Sequence, residues 1–101
     1  MLTLGEVLSL SRRSADALDG LALEPDLRSG LARAAADEGV EPRDIVLEAV
    51  ADFAASADAG EWTALIGRAQ AAQDPGRACL EIMIRRLLPA ARPADEETSH
   101  G

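Results

Sequence analysis

The chain has 101 residues, 48% of them apolar, and its only aromatic side chains are Phe53 and Trp62, which limits it to one domain with one core built from Ala, Leu, Val and Ile. All ten basic residues are arginine, against eighteen carboxylates, and the resulting formal charge of −8 repels nucleic acid and anionic membrane at long range. Cys79 is the sole cysteine, no apolar run approaches the ~20 residues of a membrane-spanning helix, and no basic stretch precedes an apolar one at the N-terminus, so the expectation is a cytoplasmic protein with no internal disulfide and no membrane partner.

Thr3-Leu4-Gly5-Glu6 reads as a capping box flanked by a Leu2–Val7 staple. It predicts a first helix over about 3–19, with Leu4, Val7, Leu8, Ala15 and Leu18 on one side and Gly20 as its stop. Pro25 suits the first position of a second helix and Gly39 the left-handed residue beyond its end. Leu27, Leu31, Ala34 and Ala35 give that helix a narrow apolar stripe. Pro42 opens a third helix, with Val40 and Ile45 at staple positions and a broad face of Ile45, Val46, Ala49, Val50, Phe53, Ala54 and Ala57. Asp58-Ala59-Gly60-Glu61 is a second capping box, leading to Trp62, Leu65, Ile66 and Ala69 at helical spacing. Asp74-Pro75 starts a fifth helix that runs to about Leu88 and is stopped by Pro89. Residues 90–101, with Asp95-Glu96-Glu97 and no apolar periodicity, read as a disordered acidic tail. The predicted fold is therefore all-α, a small bundle of about five helices in a single domain over 1–89.

Leu23, Pro25, Leu27, Leu31, Ala35, Gly39-Val40, Ile45-Val46, Glu48-Ala49 and Phe53 follow one another at offsets that give residues 21–57 a second reading. This spacing resembles the helical hairpin of ribbon-helix-helix regulators. The resemblance implies one short strand at residues 21–24 that pairs with its twin across a dimer and enters the major groove of DNA. Leu21 and Leu23 would then face the dimer core, while Gly20, Ala22 and Glu24 would face the DNA. Those outward residues hold no Arg, Lys, Asn or Gln for bidentate contacts with bases, and the segment carries a net charge of −5, so nucleic acid is not an expected partner. The competing reading makes residues 21–24 an extended linker in a helical bundle. Trp62, Asp74-Pro75-Gly76 and Cys79-Leu80 make the C-terminal half similar to Ala-rich and Arg-rich bacterial helical proteins, which implies no activity.

Two surfaces are candidate sites. Glu41, Asp44, Glu48 and Asp52 fall within an arc of about 80° on the third helix, where like charges at i, i+4 repel, and a stripe kept at that cost suits a basic protein partner. The fifth helix is apolar around most of its circumference, and Leu80, Met83, Ile84 and Leu87 are expected at the interface of a homodimer. Cys79 has no histidine near it in sequence to activate it, and His100, the only histidine, sits in the tail, so no His-based triad or metal site is expected. The carboxylates lie on helix surfaces rather than in an apolar pocket that would raise a pKa. The expectation is a non-enzymatic protein-interaction or regulatory module without a cofactor. The alternative is a ribbon-helix-helix regulator or antitoxin with a degenerate DNA-reading strand.

Overall fold

The first amides of any helix lack intrahelical partners, and each helix start here supplies a side-chain acceptor or a proline without an amide. The computed structural model describes residues 3–88, which form α1 (Leu4–Asp16), α2 (Pro25–Glu38), α3 (Pro42–Ser56), α4 (Ala59–Ala71) and α5 (Pro75–Leu87). At the start of α1 the Thr3 hydroxyl accepts from the Glu6 amide at 3.1 Å, and the Glu6 carboxylate accepts from the Thr3 amide at 2.9 Å. Asp58 and Glu61 repeat the exchange at α4, at 2.8 and 3.0 Å. Proline occupies the first turn of α2, α3 and α5, where an absent N–H costs nothing. Asp74 adds a carboxylate that accepts from the Arg77 amide at 3.1 Å. Gly39 ends α2 at φ 71°, and the Val40 amide reaches back to the Ala35 carbonyl at 3.0 Å in a Schellman closure.

The first helix is shorter than the predicted 3–19. It ends at Asp16, and Leu18–Gly20 tightens into a single 3₁₀ turn in which the Gly20 amide bonds to the Ala17 carbonyl. Leu4 and Val40, expected to turn inward, remain 49% and 41% exposed. Leu2 and its staple, Pro89, and the tail 90–101 lie outside the described residues.

Residues 21–24 form a linker that turns tightly at Ala22, where the Leu23 amide bonds back to the Leu21 carbonyl at 3.0 Å, and the described residues contain no strand. Leu23 is its buried anchor. The backbone around it is already occupied: Arg28 donates to the Leu21 carbonyl at 2.9 Å, Arg77 to the Ala22 carbonyl at 3.3 Å, and the Glu24 amide donates to Glu81 Oε2 at 3.3 Å. A ribbon pairing with a second chain would have to displace these bonds. The strand that the resemblance implies, and with it the ribbon-helix-helix reading, therefore has no support in the fold.

One hydrophobic cluster draws on all five helices and the linker, and α5 lies at its centre, packed against α1, α2, α3 and α4. This corrects the reading of α5 as an interface helix. Leu80, Met83 and Ile84 are at most 1% exposed within the single chain, and Leu87 is half-buried. Central burial is possible in so small a domain because small residues (Ser11, Ala15, Ala49 and Ala69, all buried) let the neighbouring helices come close. At Gly76 the approach is close enough that an added Cβ would sit 2.0 Å from Ser14 Oγ. Among the described residues no helix is long and apolar enough to cross a membrane.

Candidate functional site

Arg86, in the last turn of α5, ties three helices together. Its guanidinium grips Glu61 of α4 through two bonds, Nε to Oε2 at 2.7 Å and Nη2 to Oε1 at 3.2 Å. Nη1 reaches Asp52 Oδ2 and Ser56 Oγ on α3, both at 3.0 Å. Asp52 and Ser56 are i, i+4 on one helix and so present both acceptors on the same side. Beneath the guanidinium lies the Phe53 ring, with the Arg86 Cζ 5.4 Å from its centroid, and Trp62 meets that ring edge-on at 4.9 Å and 80°. The planar fork of arginine suits this arrangement; a lysine could satisfy one carboxylate but not a bidentate grip and a stack together.

The clamp forms one wall of a half-open groove of about 410 Å³ between α4 and α5. Phe53, Ala64, Ala78 and Ile82 supply its apolar lining. Its charged lining is balanced, with Arg68, Arg85 and Arg86 set against Glu24, Glu61 and Glu81. Arg85 pairs with Glu24 of the linker. The bonds to Arg86, and then the Asp58 amide, hold the Glu61 carboxyl below the usual glutamate range. The same bond to Glu61 raises the Arg86 pKa, so the pair stays charged throughout the neutral range.

The four acidic residues predicted as a stripe on α3 have different local partners in the structure. Glu41 and Asp44 belong to the helix start, where Asp44 Oδ2 accepts from the Glu41 amide at 3.1 Å and negative charge meets the positive end of the helix dipole. Asp52 is held by Arg86. Glu48 is exposed with no ion pair or side-chain hydrogen bond among the described residues. Like charges at i, i+4 are tolerated here because two of them cap a helix and a third is neutralised; a partner is not needed to explain them.

Cys79 is fully buried. Burial pushes its thiol pKa up, against a smaller opposite effect of Ser11, so a reactive thiolate is disfavoured. Among the described residues no group of His, Cys, Asp and Glu is placed to hold a metal ion. The groove itself escapes sequence reading because Glu61, Phe53 and Arg86 come from three helices. The spacing of Asp52 and Ser56 is the only local signal for it.

No family model, no curated protein and no solved structure matches this chain.

Proposed function

We propose that this chain is a non-enzymatic regulatory module that recognises a macromolecular partner through the groove between α4 and α5. The observation that carries the reading is the Arg86 clamp, which fixes one wall of a concave, part-apolar surface by pairing with Glu61 and Asp52. Preformed concavity of this kind favours recognition, because little side-chain freedom remains to be lost on binding. General-acid catalysis by Glu61 is disfavoured by the direction of its pKa shift. A general acid needs a raised pKa, whereas the Glu61 pKa is lowered, which keeps the group ionised and unable to donate a proton at neutral pH.

Photo-cross-linking tests this reading. p-Benzoylphenylalanine is placed at Ala64 in the groove and, as a control, at Ala36, an exposed position on α2. A partner captured from Ala64 and not from Ala36, which also binds the purified chain and loses that binding with Ala64→Arg, supports the groove. Equal capture from both positions, or binding indifferent to Ala64→Arg, removes it.

A further inference from the structure

Two charges lining the groove are left over when its internal pairs are counted. Arg86 is committed to Glu61, Asp52 and Ser56, and Arg85 to Glu24. Arg68 of α4 is exposed and has no ion pair among the described residues. Glu81 of α5 accepts only the Glu24 amide, through Oε2, so its Oε1 stays open. The two line the same groove from opposite helices without pairing with each other. The rest of the lining is Phe53, Ala64, Ala78 and Ile82.

A spare guanidinium and a spare carboxylate beside an apolar surface complement a ligand that carries both charges on an apolar body. A ligand with one charge would engage only one of the two groups and forgo the second charge-assisted bond. The volume of about 410 Å³ lies within the range of roughly 300–1,000 Å³ typical of small-molecule sites. The smaller cavity of about 190 Å³ beside Leu23 and Leu31 offers no such match, because its one guanidinium, Arg28, is committed to the Leu21 carbonyl. We propose that the α4–α5 groove binds an apolar zwitterion, a free amino acid or short peptide, with its carboxylate on Arg68 and its ammonium on Glu81. The proposal rests on the reading of this groove as the recognition surface and makes the module responsive to a small ligand.

Titration of the ¹⁵N-labelled full chain with leucine, leucyl-leucine, leucinamide and N-acetylleucine, followed by amide shifts, tests it. The expected result is saturable shifts in α4 and α5 with leucine or leucyl-leucine, and binding roughly tenfold weaker for each singly charged analogue. The tighter of the two zwitterions identifies the free amino acid or the peptide as the source. Arg68→Gln and Glu81→Gln should each weaken binding by a similar factor; glutamine at 81 keeps an acceptor for the Glu24 amide, so the groove survives the change. Equal binding of leucinamide or N-acetylleucine, or no shift with either zwitterion, overturns the proposal. If that occurs while Ala64-dependent capture of a partner persists, the groove remains a protein-binding surface and only the zwitterion falls.

Discussion

At Gly76 a methyl group fits only if the Ser14 side chain shifts. An added Cβ would lie 2.0 Å from Ser14 Oγ, 3.3 Å from Ser14 Cβ and 3.6 Å from Leu10 Cδ1. Gly76→Ala should therefore lower stability by about 1–3 kcal/mol in urea denaturation, and adding Ser14→Ala, which removes the nearest atom, should recover most of the loss. The sequence does not show that Gly76 meets a neighbouring helix while at Gly67 an added Cβ would meet nothing within 4 Å. Glu61 supplies a second test. Its pKa is depressed in the folded chain, so its contribution is full above the unfolded value of about 4.3 and is lost as pH falls through the lower folded value. Melting temperatures of the wild type and Glu61→Gln should thus differ most near neutrality and converge in acid. A gap that is constant with pH would mean that the carboxylate charge contributes nothing.

At the level of the helices, caps and packing differ in how legible they are. Thr3, Pro25, Gly39, Asp58 and Asp74 mark helix ends through atoms within a few residues of each other, so their roles can be read directly from the chain. The fate of α5 cannot be read this way. An apolar circumference says that a helix must be covered, and leaves open whether its own chain or a second one covers it. Here the chain covers it, and Ile84→Glu should unfold the protein rather than separate subunits, since an unpaired carboxylate would replace a fully buried side chain at a cost of several kcal/mol. Loss of the helical circular dichroism signal would show this; a folded, monomeric variant would contradict it. On α3, Glu48→Lys should keep the fold and gain about 0.2–0.5 kcal/mol per pair with Asp44 and Asp52. Asp52→Lys should instead destabilise, because it sets a cation against Arg86.

For the molecule as a whole, the excess of carboxylates predicts negligible binding to random duplex DNA at physiological salt, measured by fluorescence anisotropy. Micromolar binding that weakens steeply with salt would contradict this. Composition made the all-α class legible, since Ala and Leu lose little on entering a helix. The groove was not legible, because it depends on which residues of three helices meet. The linker at residues 21–24 has a further consequence, for aggregation. A stretch of extended backbone with open donors and acceptors invites strand addition by other chains. In this fold Arg28 and Arg77 occupy the Leu21 and Ala22 carbonyls and Glu81 the Glu24 amide, which leaves fewer groups open to such addition. Arg28→Ala combined with Arg77→Ala should therefore shorten the lag before thioflavin-positive aggregates appear, well below the temperature at which the helices melt.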